Sequence, residues 1–399
     1  MNLPDLQSYM RSQRIDAWVL YDFRGSNFVL SRLLAGKRWT TRRVYLVVKA
    51  EGPPRVLVHG IDAAQFQNVS LADAKIEPKV YLSWPEIATD LKTLLSGCSR
   101  VAMEYAPGCS LPVVSIADAG TVEMIRALGF EVVSSANLVQ HTIARWSADA
   151  LRLHLDASAR VATIKDQAFD MIRRALAASK PIHEHEVQAF IHDRFKQDGL
   201  ETADEVIVAV NAHAGDPHYG PSAANPTPIR KGDWVLIDLW ARHPGEDNIF
   251  SDITWVAFAG RDVPAKHREV FTAVKAARDA SLARAVDGWK RRETVQGWQL
   301  DDAAREQLLS ASNGAFKNFI RHRTGHSLSQ GPAVHGLGMN LDNLETHDTR
   351  EMLPGLGYTI EPGLYLPDFG VRIEINVYVD PSKGPIVTSC IQDDIVSLA

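Results

Sequence analysis

Cysteine is scarce in this chain: there are three among 399 residues, Cys98, Cys109 and Cys390, an odd number with no CxxC spacing. That excludes a disulfide framework and a cysteine-built zinc knuckle, and it fits a reducing compartment. Long apolar runs are missing as well. No stretch approaches the ~20 residues that span a bilayer, and the first ten residues lack a basic segment followed by an apolar one, so we expect a cytoplasmic protein with no membrane partner. Positive charge is not in excess. The net charge is −5 and the pI about 6.3, which gives no electrostatic reason to expect nucleic acid. The first third of the chain holds neither GxGxxG after its first strand nor GxxxxGK[ST], so a dinucleotide or P-loop site has no support there. No GxSxG elbow and no cysteine nucleophile motif is present, which disfavours a covalent mechanism.

What is present is enough apolar sequence, 45% against 23% charged, for two sizeable cores. Up to about position 145 helix-like and strand-like segments alternate, as in the helix Leu3 to Gln13 and the strands Ala17 to Tyr21 and Arg43 to Val48. This predicts an α/β domain with a mixed or parallel sheet over residues 1–146 and a second domain over 147–399. Ser147 is placed to cap an amphipathic helix running from Ala148 to about Leu176. Further helices are expected from about Ile182 to Gln197, Pro264 to Ala285 and Leu300 to Phe319, with strands between them. The segment His183–Glu186 (HEHE) looks like a zincin motif at a glance. Its histidines are two apart rather than four, so it reads as the acidic first turn of a helix.

The chemistry is concentrated in the C-terminal half. Asp238 lies in the strand-like run Trp234–Ala241 and Asp252 opens another, Asp252–Phe258, with a turn-rich link at His243–Asn248. Glu361 (in Gly357–Tyr365) and Glu374 (in Val371–Val379) repeat the plan around a turn at Pro367–Gly370. An acid among apolar β-formers is costly to bury unless something neutralises it. Strands in a hairpin bring opposed residues to ~5 Å, so each pair of acids can face a common ion. With His326 they make an oxygen-rich set of five, suited to two divalent cations such as Mn²⁺, Co²⁺ or Zn²⁺ and to amide hydrolysis.

Four stretches, Asp238 to Thr254, His322–His326 (HRTGH), Thr359–Tyr365 (TIEPGLY) and Val371–Glu374 (VRIE), resemble the pita-bread metallopeptidases, in particular the prolidase and aminopeptidase P branch. The resemblance covers the C-terminal ~250 residues by motif and the N-terminal domain by position and pattern. It implies an α+β fold in which a pita-bread catalytic domain with pseudo-duplicated halves follows a smaller α/β domain. It also implies that Asp238 chelates one metal, His326 and Glu361 the other, and that Asp252 and Glu374 bridge both. A bridging water or hydroxide would attack the scissile carbonyl, with Glu361 as general base and then acid. His218, His322 and His335 would hydrogen-bond the substrate carbonyl and relay protons, and Arg372 would orient a ligating carboxylate or grip the substrate C-terminus. The implied reaction is cleavage of the bond before proline, in Xaa-Pro dipeptides or, alternatively, in longer peptides as in aminopeptidase P, by a homodimer. A peptide-binding relative without catalysis is the reading from a different class. The chain departs from the pattern in several places: the segment between His326 and His335 is longer than is usual, and Gly336 follows His335 where an acid is common. Its first two acids are fourteen positions apart, a longer link than is usual. Phe250 stands near where a Tyr is common, and Trp255 near where an Arg is.

Overall fold

The computed structural model describes residues 2–399, and the chain divides into two compact units, Met1–Ile143 and Ala144–Ala399. The division falls just ahead of the expected boundary because Trp146 belongs to the second unit. Its backbone N–H donates to the Gly355 carbonyl at 2.8 Å, its indole N–H to the Leu328 carbonyl at 2.7 Å, and its ring stacks on Tyr378.

In the first unit a six-stranded sheet is built around Ala17–Phe23. That strand pairs antiparallel with Arg43–Lys49 and parallel with Arg100–Met103, so the sheet is mixed. Trp18, Val19 and Leu20 are all buried, which is why the run reads as continuously apolar rather than alternating.

The second unit repeats one plan twice. Helices Ala148–Ala177 and Glu184–Gln197 precede an antiparallel sheet of Ile207–Val210, Trp234–Ala241 and Ser251–Phe258. Helices Ala265–Lys290 and Gly297–Ala311 precede a second sheet that includes Gly357–Ile360 and Ile375–Asp380. Ser147 caps the first helix by accepting the Ala150 N–H at 3.0 Å, and Val161, Ile164, Ala168 and Ile172 form its buried stripe. His183 and Glu186 form a capping box at the second, so HEHE is a helix start with acids in its first turn. The fourth helix ends at Ala311, well before the expected Phe319. Asn313 and Gly314 take left-handed backbone angles there, which an α-helix cannot continue through. No helix among the described residues is long and apolar enough to cross a membrane.

His154 on the first helix is fully buried, bonded to the Phe250 carbonyl at 3.0 Å and the Thr388 hydroxyl at 2.8 Å. Burial pushes its pKa down to about 4 from 6.5. The folded protein therefore keeps it neutral where the unfolded chain protonates it, and stability falls as pH drops through that window. Between pH 7 and 4.5 this amounts to roughly 2–3 kcal/mol. Urea unfolding of wild type and His154→Gln at both pH values checks it: the gap between them should narrow by that amount at the lower pH.

Candidate metal centre

Register decides where the acids of the first hairpin go. Asp238 opposes Thr254 and Asp252 opposes Trp240, so all four side chains share one face, with the two acids on a diagonal rather than directly opposite. The expectation of opposed acids is corrected here: Thr254 occupies the opposed place. Its hydroxyl lies 3.0 Å from Asp238 Oδ1 and 2.9 Å from Glu374 Oε2, tying the two hairpins together.

The second hairpin is a broken ladder. Ile360 pairs with Ile375 and Gly363 with Arg372, so the register sets Glu361 opposite Glu374 in the gap. Their backbone N–H groups bond elsewhere, Glu361 to the Thr324 carbonyl at 2.7 Å and Glu374 to the Thr254 carbonyl at 3.1 Å. Freed from the ladder, both carboxylates turn into the space above the first hairpin.

His326 enters just ahead of the short strand Ser327–Leu328, which pairs with Gly357–Ile360. Its N–H donates to Thr359 Oγ1 at 2.9 Å. Ring atom Nδ1 lies 3.1 Å from the Ser327 carbonyl, which calls for a proton on Nδ1 and leaves the Nε2 lone pair free. Nε2 faces Asp252 Oδ2 at 3.3 Å and Glu361 Oε1 at 3.4 Å. Ligand atoms of Asp252, His326 and Glu374 all lie within 4.8 Å of one another, and Asp238 and Glu361 line the same cavity of about 860 Å³.

Four carboxylates here are matched by one buried cation, Arg372. Burial first, then the charges of Asp238 and Glu361, hold the Asp252 carboxyl well above its usual range. Glu374 is raised in the same direction by burial and by Asp252. Its Oε1 is buried with no hydrogen-bond partner. An orphaned acceptor amid crowded carboxylates and a presented imidazole lone pair is a donor set that fits divalent cations.

Arg372 spends its guanidinium inside the site. It pairs with Asp238, donates from Nε to Thr254 Oγ1 at 3.0 Å and from Nη1 to the Tyr365 hydroxyl at 2.7 Å. The Tyr365 hydroxyl meets His322 Nε2 at 2.5 Å, and His322 Nδ1 meets the Arg323 carbonyl at 2.6 Å. Burial, then Arg372, pushes the His322 pKa down to about 4, so the ring is neutral and both its nitrogens are engaged. The His335 ring lies tilted beside that of His326, centroids 4.1 Å apart; the repulsion the two rings would feel if both were protonated, and then burial, lower its pKa. His218 lines the cavity from an exposed position. The cavity thus gathers all nine residues singled out in the sequence.

Thr254, Tyr365 and Glu184 were not singled out. The first two lie inside the quoted motifs, where their oxygens could have been read as partners for the charged neighbours. Glu184 carries no such signal. Its buried carboxylate accepts the Val210 N–H at 2.7 Å and the Tyr219 hydroxyl at 2.6 Å and pairs with His213, pinning from inside the loop that bears His218. The departures at Phe250 and Trp255 are packing positions: Arg242 lies over the Phe250 ring at 4.3 Å and Lys165 over the Trp255 ring at 3.4 Å.

Comparison with known proteins places the chain in a family. Residues 156–381, more than half of the chain, match the family described as metallopeptidase family M24. The chain is 29% identical over 367 residues to a probable dipeptidase, PepE, of Mycobacterium tuberculosis, covering 91% of this chain and 88% of that one. It is 31% identical over 210 residues to an Xaa-Pro dipeptidase of Pyrococcus furiosus, about half of either chain (51% and 53%). Among solved structures, the dipeptidase PepE of Mycobacterium ulcerans superposes with a TM-score of 0.67 at 21% identity, covering 99% of this chain and 96% of that one. That likeness shows the fold, the pita-bread arrangement expected from the sequence.

Proposed function

The chain belongs to metallopeptidase family M24, and from that premise we propose that it hydrolyses the peptide bond preceding proline in Xaa-Pro dipeptides, using two divalent ions. The observation that carries this reading is the convergence of Asp238, Asp252, His326, Glu361 and Glu374 on one cavity with too little positive charge to balance them. Asp252 and Glu374, the most buried of the four acids, would serve both ions; Asp238, held by Arg372, would help hold one, and His326 with Glu361 the other. Two such ions, when bound, would supply an acidified water and a polarised carbonyl.

The chain's own residues do the rest. Glu361, at the less buried side of the cluster, accepts the proton of the attacking water and passes it to the proline nitrogen, which must leave as a secondary amine. His335 and His218 face the cavity and donate to the carbonyl oxygen as its charge grows. Arg372 and Thr254 fix the Asp238 and Glu374 carboxylates, so it is a positioning arginine. Proline has no amide N–H, so a site that demands no donor from the leaving group accepts it. Support for the dipeptide comes from the relatives named as dipeptidases.

A panel of Xaa-Pro dipeptides and Xaa-Pro-Yaa tripeptides tests the reading. We expect release of proline from dipeptides, at least about tenfold faster in kcat/KM than the release of the first residue from tripeptides, a margin near 1.4 kcal/mol. Comparable or faster tripeptide cleavage would move the assignment to an aminopeptidase, and inertness towards both would end it.

A further inference from the structure

Three arginines line the cavity, Arg321, Arg323 and Arg372. Two of them are already spent. Arg372 is buried against Asp238, Thr254 and Tyr365. Arg323 is paired with Glu345, through its side chain and its backbone N–H, both at 3.3 Å. Arg321 has no acidic partner among the described residues. Its one hydrogen bond is a long contact of 3.3 Å from Nη1 to the Gly215 carbonyl, and its side chain is exposed to the cavity. A guanidinium has five N–H donors in a fork that matches a carboxylate.

The substrate proposed above supplies the missing partner. In an Xaa-Pro dipeptide the terminal carboxylate sits on the carbon next to the nitrogen of the cleaved bond. It must therefore enter the same cleft as the four acids, where a cation with free donors offsets their repulsion and receives it best. The sequence offered Arg372 for that task, and the geometry removes it. We infer that Arg321 binds the C-terminal carboxylate of the substrate and thereby selects dipeptides over longer or capped peptides. This rests on the peptidase reading of the site. Arg321 also bridges to Gly215, in the same loop as His218, so the carboxylate is received between the segment that carries His322 and the loop that carries His218.

The test compares an Xaa-Pro dipeptide with its C-terminal amide, in wild type, Arg321→Ala and Arg321→Lys, with kcat and KM resolved separately. Arg321→Ala should raise KM for the free acid on the order of 10–100-fold, the range for a lost hydrogen bond to a charged group, and leave the amide within about threefold. Arg321→Lys should recover part of the loss, since it restores the charge without the fork. An equal loss on acid and amide would make Arg321 a tether for the Gly215 loop and overturn the inference, as would no change on either. Wild-type protein inert to every peptide would overturn the functional reading itself, and this inference with it. Because wild-type turnover is read first, the two failures are distinguishable.

Discussion

Asp252→Asn should cost turnover on the order of 10³-fold or more, beyond the 10–100-fold typical of partners outside the ligand shell, and yet raise the melting temperature of metal-free protein. The two effects have one cause. Asp252 is buried within reach of Glu374 and Glu361, and without a cation its charge is opposed by theirs. Asparagine keeps the shape and removes the charge. The backbone at this position is held independently, since the Asp252 N–H donates to Asn376 Oδ1 at 3.0 Å and its carbonyl accepts from Asn376 Nδ2. The strand therefore stays in place while the repulsion goes. A rise of roughly 2–4 °C corresponds to about 1 kcal/mol for a unit of this size. Added metal should stabilise the wild type and not the variant, which thermal melts with and without Mn²⁺ would read directly. A variant less stable than wild type when both are stripped of metal would mean that the acids are not a cation site.

Gly325→Ala should damage the fold and the cavity lining together. A Cβ at this position would lie 2.1 Å from the Thr359 carbonyl oxygen and 2.9 Å from its carbon, both backbone atoms that cannot rotate away. The residues on either side are anchored. Thr324 is held by Asp301 through its N–H and hydroxyl, and the His326 N–H donates to Thr359 Oγ1, which itself donates to Glu361 Oε1 at 3.0 Å. Relief of the clash therefore displaces His326 and Glu361 together. We expect a loss of about 3 kcal/mol or more, at the upper end for overpacking, and turnover reduced by at least ~100-fold, as a misplacement of about 1 Å produces. Gly220→Ala is the control, because its added Cβ would meet nothing within 4 Å and its backbone angle is ordinary. Unfolding curves for the two variants should differ by nearly the whole effect.

The acids were legible because burial makes their cost visible in the pattern: a carboxylate inside an apolar β-run needs a reason, and four of them share one. The buried sheet of the first unit was legible too, its central strand being apolar on both faces, whereas the choice between a mixed and a parallel sheet was left to the strand pairings. The partners that complete the site were harder to see. A threonine such as Thr254, or a tyrosine such as Tyr365, is unremarked in a strand, and only register and the break in the second ladder aim their oxygens at the acids. Alternation along each strand says neither that Asp238 and Asp252 share a face nor that they lie diagonally, because the link at His243–Asn248 sets the register. Arg372 had two readings in sequence, and three hydrogen bonds choose between them. Arg321 drew no notice at all, since a free guanidinium is recognised only once its neighbours have been counted. The overlong fourth helix shows the opposite failure: apolar spacing continued past Asn313 and Gly314, where the backbone turns.

The central claim is that the five converging side chains hold two ions and that hydrolysis depends on them. Metal-stripped protein should be titrated with Mn²⁺, and in parallel with Co²⁺ and Zn²⁺, while proline release from an Xaa-Pro dipeptide is followed. Release should be absent without metal and rise to a plateau at two equivalents per chain. Release that survives chelation, or a protein that binds two ions and still frees no residue from any peptide, would contradict it.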